Sequence, residues 1–148
     1  MEVIAYFLLG HFLAALLLYL NHRFIFHGKL GNTKLLRRWR KVHTMHHKYD
    51  YMKQWKKYAL IPWWGWISLS AVCCITGYYT NMFFGIGLFS YLFSYEVTHY
   101  YLHKYPKKDY LGEFHFHHHR KDTKKNFATF WIFFDRIFGT HSRNEGTK

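Results

Sequence analysis

The sequence of 148 residues contains little cysteine, little proline and few acidic residues. Its two cysteines are adjacent, at positions 73 and 74, and the chain has no others. This excludes a thiolate zinc site and an iron–sulfur cluster, and it provides no disulfide framework. We therefore interpret Cys73 and Cys74 as packing residues.

Positive charge is missing from two long stretches, residues 1–22 and 58–103, which contain no lysine or arginine. All 21 basic residues lie in 23–57 and 104–148, and with only eight acidic residues the net charge is +13. Such an excess suits nucleic acid, an anionic membrane surface or an acidic substrate. A nucleic-acid binder would interleave basic and aromatic residues on one soluble surface. Because the apolar and basic blocks are separate here, we do not expect nucleic acid as a partner.

The blocks without basic residues contain three apolar runs of membrane-spanning length, 3–20, 58–76 and 82–98. As a helix, the first run would extend about 27 Å, which is close to the thickness of the hydrocarbon core of a bilayer. A lysine or arginine at the centre of a span costs about 2.5–3.5 kcal/mol, so a bilayer would enforce the observed segregation. The short "GYYTN" connection (77–81) predicts an antiparallel hairpin of the second and third spans, with Pro62 in the first turn of the second.

The positions of the basic segments predict an orientation. Cytoplasmic segments of membrane proteins are rich in lysine and arginine, so we place both basic segments in the cytoplasm. We thus predict an all-α integral membrane protein, a single domain over 1–148, with about three transmembrane helices and a cytoplasmic histidine-rich helical cap (22–57 and 99–148). A cleaved signal peptide is the alternative for residues 1–20, but no basic segment precedes the apolar run and no small-residue cleavage site follows it.

Histidine is concentrated in four motifs, "HRFIFH", "HTMHH", "HYYLH" and "HFHHH". Positions i, i+3 and i+4 share one face of a helix, so each H-x-x-H-H motif should present three imidazoles in one direction. At this histidine frequency the H-x-x-H-H pattern is expected by chance roughly 0.1 times, and it occurs twice. The candidate metal ligands are His22, His27, His43, His46, His47, His99, His103, His115, His118 and His119.

One metal ion binds about four to six ligands. Ten imidazoles are too many for one ion, so the motifs predict two metal ions. Imidazole suits zinc, copper, iron or nickel, and the lack of carboxylate pairs argues against calcium and magnesium. A ferritin-like di-iron bundle needs paired Glu-x-x-His motifs, and only Glu96 to His99 matches. Carboxylates near the motifs are predicted to accept ring N–H bonds and balance the metal charge, or else to be solvated counter-charges. These candidates are Asp50, Glu96, Glu113, Asp122 and Asp135.

Three histidines lie outside the motifs. His117 and His141 complete no metal-binding pattern, and we interpret them as surface or hydrogen-bonded residues. His11 lies inside the first span, where it would either form an interhelical hydrogen bond, the interpretation we favour, or line a substrate cavity.

The four motifs, with "YEVTHYYLH" around the third and "NFATFWIFFDRIFGTH" (126–141) after the fourth, resemble the membrane-bound fatty acid hydroxylase and sterol desaturase superfamily. The resemblance runs from about residue 19 to 141 and is closest to the fatty acid 2-hydroxylase branch. Carotenoid hydroxylases are similar at the first motif, but they usually have four residues between the histidines of the third, where this chain has three.

This resemblance implies a di-iron oxygenase in which the ten motif histidines hold two iron ions. With O2 as co-substrate, it would hydroxylate or desaturate an unactivated C–H bond of a lipid, most simply a fatty acyl chain. Zinc can replace iron in recombinant protein. The chain carries no electron-transfer motif of its own, so we expect a separate donor, a cytochrome b5-like protein or a ferredoxin with its reductase. The membrane would be the endoplasmic reticulum in a eukaryote and the inner membrane in a bacterium.

The chain departs from the family pattern because a single span precedes the first motif and no fused cytochrome domain is seen. A minimal enzyme, a cavity closed by a second subunit, or a truncated inactive chain would each explain this.

The alternatives in function are a sterol or carotenoid hydroxylase or desaturase, and a non-enzymatic metal-binding membrane protein. A metal transporter would place ligands along its spans, where only His11 lies. We expect "FATFWIFFDRIF" to form an interfacial helix over the site or an ordinary packed helix.

Overall fold

The computed structural model describes residues 1–50, 56 and 60–142, and within them the ordered elements are all helical. They are α1 (Glu2–Leu20), a π-helix (Asn21–Phe26), a 3₁₀-helix (Lys29–Asn32), α2 (Arg37–Tyr49), α3 (Trp63–Tyr79), α4 (Met82–Lys104), α5 (Tyr110–Arg120) and α6 (Phe133–Ile137). The chain divides into two compact units. Unit 1 contains Met1–Leu18 and Ile61–Val97, and unit 2 contains Tyr19–Leu60 and Thr98–Lys148. The single domain stays a prediction.

In unit 1, α3 and α4 form an antiparallel hairpin. The rings of Trp66 and Phe89 lie 5.9 Å apart, and a Cβ added to Gly77 would lie 3.2 Å from the Cα of Gly85. The hairpin predicted from the "GYYTN" connection is therefore present. Its turn is shorter than predicted, because α3 continues to Tyr79 and only two residues separate it from α4.

The start of α3 differs from the predicted span. Residues 58 and 59 lie outside the described residues, and Pro62 has extended backbone geometry just before the helix rather than a place in its first turn. The carbonyl oxygen of Pro62 accepts hydrogen bonds from the backbone N–H groups of Gly65 and Trp66. Glu96 of α4 accepts a hydrogen bond from the backbone N–H of Ile61, at 2.7 Å. A carboxylate thus joins the segment entering α3 to the neighbouring helix.

Helices α1 and α4 approach each other closely inside unit 1. A Cβ added to Gly87 would overlap the carbonyl oxygen of Phe7 and lie 3.0 Å from the backbone nitrogen of His11. Beside this contact, Nδ1 of His11 lies 2.9 Å from the hydroxyl oxygen of Ser90. That hydroxyl donates to the carbonyl oxygen of Gly87, which leaves its oxygen free to accept from the ring. The interhelical hydrogen bond predicted for His11 is confirmed.

Helix α1 is apolar on all sides and most of its surface is exposed. Its exposed side chains include Ile4, Leu8, Leu9 and Leu17. A helix that is hydrophobic all round is stable either in a protein core or in a bilayer, and exposure favours the bilayer. Within the described residues, the continuous helical stretch Glu2–Phe26 alone has the length and apolar composition for crossing a membrane. The other two spans remain predictions.

Unit 2 contains the histidine motifs and the connections that order them. Arg40 of α2 donates hydrogen bonds to the carbonyl oxygen of Gly28 at 2.9 Å and to the side chain of Asn32 at 2.7 Å. Asp109 caps the N-terminus of α5 by accepting from the backbone N–H of Gly112 at 2.8 Å. An N-cap of this kind stabilises a helix by about 1 kcal/mol. These contacts fix the segments that carry the first, second and fourth motifs.

The prediction that "FATFWIFFDRIF" forms a helix is wrong for most of its length. Residues 126–132 are irregular, and only Phe133–Ile137 is helical. The backbone N–H groups of Phe127 and Ala128 donate to the carboxylate of Asp135 instead of entering a helical ladder. A buried acid therefore overrides the helical preference of this apolar sequence.

We predict that Gly87→Ala will destabilise unit 1. The added methyl group would overlap the backbone of α1, which cannot move aside as a flexible side chain can. Overpacking of this kind typically costs about 1–3 kcal/mol. Thermal unfolding in detergent should therefore show a lower Tm. Ala71→Val, which adds bulk at an exposed position of α3, should leave the Tm within error, and an equal loss in both variants would contradict this packing.

Candidate metal centre

The ten histidines named as candidate ligands form two groups of five, all within unit 2. In each group the five ring nitrogens all lie within 4.8 Å of one another. Cluster A consists of His22, His27, His43, His47 and His118, and cluster B of His46, His99, His103, His115 and His119. The ten histidines come from a stretch of sequence that runs from residue 22 to residue 119. The fold of unit 2 brings them together in the two clusters.

Each H-x-x-H-H motif contributes to both clusters. On α2, His43 and His47 belong to cluster A while His46 belongs to cluster B. On α5, His118 belongs to cluster A while His115 and His119 belong to cluster B. The helical spacing predicts a common direction for the three imidazoles of a motif but not their division between two clusters. Adjacent helical residues diverge by about 100° around the axis, which sends one ring of each motif to the other cluster.

The first motif reaches cluster A through a π-helix. His22 and His27 are five residues apart, a spacing that an α-helix would place on different faces. In the π-helix the hydrogen bonds join residues i and i+5, and the backbone N–H of His27 donates to the carbonyl oxygen of His22 at 3.1 Å. The two ring centroids then lie 5.0 Å apart. Single π turns are frequent at functional sites, and the four-residue gap in "HRFIFH" was the sequence signal for this one.

The spacing of the ring nitrogens fits a metal ion. Nε2 of His43 lies 2.9 Å from Nε2 of both His27 and His47 in cluster A. In cluster B the Nε2 atoms of His46 and His119 are 3.1 Å apart, and those of His115 and His103 are 3.0 Å apart. Two imidazole nitrogens that bind one metal at about 2.1 Å, at right angles, would be separated by about 3.0 Å. The observed distances match this separation.

Two rings of cluster A are fixed in the tautomer that a metal ligand requires. Nδ1 of His22 lies 2.6 Å from the carbonyl oxygen of Phe127, and Nδ1 of His118 lies 2.7 Å from that of Lys125. A carbonyl oxygen can only accept, so each Nδ1 carries the proton and each neutral ring keeps a lone pair on Nε2. Both Nε2 atoms are buried, and neither has a hydrogen-bond partner among the described residues. Metal-binding histidines characteristically show this arrangement.

Burial keeps the clustered imidazoles neutral. It lowers the pKa of His27 to about 4, with an added effect of the Arg40 charge, and that of His118 to about 3. The pKa values of His47 and His103 fall to about 2, again through burial first and neighbouring imidazoles second. At neutral pH these rings are unprotonated, so their lone pairs are available to a cation. The other ring pKa values that shift move in the same direction.

Cluster B has an acidic neighbour. Oδ2 of Asp50 lies 3.0 Å from Nδ1 of His119, and Oδ1 lies 3.1 Å from the guanidinium of Arg120. Burial raises the pKa of Asp50 to about 6 while the Arg120 charge opposes the rise. The carboxylate is thus mostly ionised at neutral pH. A buried negative charge beside five neutral ligands would offset part of the charge of a bound cation.

The remaining predicted acids lie in other environments. Glu96 belongs to unit 1 and binds Ile61, as described above. The Glu113 side chain is exposed on α5. Asp122 accepts from the backbone N–H of Lys124 within a turn, at 2.8 Å. Asp135 is fully buried and accepts from backbone N–H groups and from Thr140.

The residues outside the motifs have mixed outcomes. Nε2 of His141 lies 2.9 Å from the hydroxyl of Tyr110, which confirms a hydrogen-bonded histidine. His117 is buried rather than on the surface, with 8% of its area exposed. Cys73 is buried as predicted, whereas Cys74 is exposed. The carbonyl groups of Lys125 and Phe127 were not singled out by the sequence, because a backbone acceptor leaves no trace in the residue types.

Two clusters of five imidazoles, with no cysteine in either, define a helical protein with histidine-rich groups that could hold metal ions. Residues 7–140 match the profile of the family described as "Fatty acid hydroxylase". The chain belongs to this fatty acid hydroxylase family.

Individual relatives agree with this assignment. The chain is 29% identical over 154 aligned positions to a dihydroceramide fatty acyl 2-hydroxylase of Arabidopsis thaliana, covering 94% of this chain and 61% of that protein. It is 30% identical to the ceramide very long chain fatty acid hydroxylase scs7 of Schizosaccharomyces pombe, covering 93% of this chain and 42% of that protein. The chain thus spans less than two thirds of the length of these relatives.

A solved structure shows the same fold. Its title is "Full length scs7p (only hydroxylase domain visible)", and it superposes with a TM-score of 0.75 at 24% sequence identity. The similarity covers 99% of this chain and 60% of that one.

We predict that Asp50→Asn will weaken metal retention while Asp122→Asn will not. The amide at position 50 removes the negative charge beside His119 and Arg120, whereas Asp122 contacts only a turn. Loss of an outer partner of a metal ligand typically lowers affinity about 10–100-fold. Competition with a chelator, followed by elemental analysis, measures the difference. Equal retention by both variants would show that Asp50 has no role in the site.

Proposed function

We propose that this protein is a di-iron oxygenase that hydroxylates a fatty acyl chain of a membrane lipid, with O2 as co-substrate. The observation that carries the proposal is the convergence of ten imidazoles in two clusters, in each of which the five ring nitrogens lie within 4.8 Å of one another. Family membership supports the reaction class, and the activity named for the Arabidopsis thaliana relative, a fatty acyl 2-hydroxylase, supports the acyl substrate and its 2-position. We extend both to this chain as part of the proposal.

Each cluster would hold one iron ion through its five imidazoles, and zinc would replace iron readily because it binds such sites more tightly than ferrous iron does. Bound iron supplies the activation of dioxygen that the cleavage of an unactivated alkyl C–H bond requires. The chain's own residues perform the other tasks. Burial of all five histidines of cluster B, and of His22 and His118 in cluster A, limits access of water. The carbonyl groups of Lys125 and Phe127 hold the Nδ1 protons of His118 and His22. The Asp50 carboxylate offsets positive charge at cluster B.

We further propose that the chain acts in a membrane as a single domain. The spans would be residues 3–20, 63–79 and 82–98, with both basic segments and all ten ligands on the cytoplasmic side. The segregation of all 21 basic residues supports this orientation. The membrane would be the endoplasmic reticulum in a eukaryote and the inner membrane in a bacterium.

Reduction of dioxygen also needs electrons. A separate donor, a cytochrome b5-like protein or a ferredoxin with its reductase, would supply them.

Metal content gives the first test. Detergent-solubilised protein should contain two tightly held metal ions per chain, iron or zinc, because each cluster presents its own set of five donors. His118→Ala and His115→Ala, one in each cluster, should each reduce the content by about one ion. Elemental analysis against protein concentration measures this. Fewer than two ions per wild-type chain would reject the proposal.

Lipid analysis gives the second test. Cells that express the protein should accumulate acyl lipids heavier by one oxygen atom, as detected by mass spectrometry. His118→Ala should abolish the product because it removes a ligand of cluster A. His141→Gln, a histidine outside both clusters, should retain it.

Loss of two hydrogen atoms would indicate a desaturase instead. The added oxygen on a sterol or carotenoid would reassign the substrate. An unchanged lipid profile with metal-loaded protein and a reduced donor would favour a metal-binding protein without this activity.

A further inference from the structure

The segment Lys125–Phe127 connects two distant ligands of cluster A. The carbonyl oxygen of Lys125 accepts from Nδ1 of His118, at 2.7 Å, and that of Phe127 accepts from Nδ1 of His22, at 2.6 Å. One histidine lies on α5 and the other on the π-helix. The position of this short segment therefore sets the ring orientation of two of the five cluster A imidazoles.

Each of these two peptide groups is also held on its N–H side. The peptide that carries the Phe127 carbonyl has the N–H of Ala128, which donates to Oδ2 of Asp135 at 2.8 Å. The peptide that carries the Lys125 carbonyl has the N–H of Asn126, which donates to the carbonyl oxygen of Thr140 at 2.9 Å. An anionic acceptor on an N–H polarises the same peptide and strengthens its carbonyl as an acceptor. One peptide group thus links the Asp135 carboxylate to His22.

Asp135 has further donors that fix its own position. Oδ1 accepts from the backbone N–H of Phe127 at 2.8 Å and from the hydroxyl of Thr140 at 2.6 Å. The Thr140 hydroxyl also lies 2.7 Å from the hydroxyl of Tyr19. The carboxylate is completely buried. A charge in such a place persists only when its hydrogen bonds are made, so the network is sensitive to the loss of one acceptor.

Asn126 holds the segment from the other side. It is fully buried and has a φ of 58°, a conformation that is uncommon outside glycine but tolerated by asparagine. Its side chain accepts from the backbone N–H of Ser142 at 2.7 Å. It donates to the carbonyl oxygens of Ser142 and Phe114, at 3.0 and 3.3 Å. The segment is thus fixed on both flanks of its two acceptor carbonyls.

We propose that Asp135 is a positioning residue for the metal of cluster A, acting through the Phe127–Ala128 peptide on His22 and through Thr140 on the peptide that holds His118. The inference rests on the proposed function in that cluster A must hold a metal ion. Cluster B has its own acid, Asp50, which contacts His119 directly. Loss of Asp135 should therefore affect one metal ion and spare the other.

The test measures metal retention by detergent-solubilised full chain loaded with zinc, with elemental analysis over a chelator series. Asp135→Asn keeps the shape of the side chain but places an NH2 group opposite a backbone donor. The chelator concentration that removes half of the cluster A metal should fall about 10–100-fold, and the cluster B metal should stay. Arg136→Gln changes an exposed neighbour on the same short helix and should retain both ions.

Variants in single-cluster backgrounds identify the affected site. With cluster B removed by His115→Ala, Asp135→Asn should reduce the remaining metal to near zero. With cluster A removed by His118→Ala, it should cause no further loss. The effects of two substitutions on metal content add when the residues act independently. A loss that depends on the presence of cluster A would therefore show that Asp135 acts on cluster A.

A milder pair of variants covers the case in which Asp135→Asn does not fold. Thr140→Val removes one donor to Asp135 and should weaken the cluster A metal partly, while Thr140→Ser, which keeps the hydroxyl, should restore its retention. Wild-type protein with two ions and an Asp135→Asn variant with unchanged retention would overturn the inference. So would equal loss of both ions. Wild-type protein with fewer than two ions would instead reject the proposed function.

Discussion

The structure of unit 2 depends on one constraint: ten imidazoles must be buried together without protonation. A buried imidazole still needs a partner for its N–H, and a buried imidazolium would lose the hydration of its charge. Protonation of a second ring nearby would add charge repulsion. The chain meets the constraint by giving two Nδ1 protons a fixed acceptor outside the clusters, the Phe127 carbonyl for His22 and the Lys125 carbonyl for His118. The lone pairs on Nε2 then face one another across about 3 Å, a separation that a shared cation stabilises.

The same constraint couples the two clusters. Helix α2 carries His43 and His47 for cluster A and His46 for cluster B, and α5 divides its histidines in the same way. A rotation of either helix that improved one cluster would disturb the other. This explains why both helices are fixed by polar contacts at their ends, the cap by Asp109 on α5 and the Arg40 hydrogen bonds beside α2. These contacts hold the imidazoles of both clusters in fixed positions.

Much of this architecture could be predicted from the sequence, because it depends on residue type and spacing. The apolar runs without basic residues located α1, α3 and α4, and the histidine motifs supplied the ten residues that the structure brings together. The division of each motif between two clusters was not predictable, since spacing gives the direction of a ring but not the position of its target. The irregular backbone at 126–132 was missed for a related reason. The backbone N–H groups of Phe127 and Ala128 donate to Asp135, which lies eight and seven positions later. Only the tertiary structure shows that these hydrogen bonds replace a helix.

The surroundings of the two clusters differ in charge, and this follows from how each is built. Cluster A takes its outer hydrogen bonds from neutral carbonyl groups, with the charge of Asp135 one peptide farther out. Cluster B has the Asp50 carboxylate in direct contact with a ligand, and Arg120 beside it. A negative charge in contact with a metal ligand would lower the reduction potential of the bound metal ion more than a charge that lies one group farther away. Metal ions bound at the two clusters would therefore have different electrostatic surroundings.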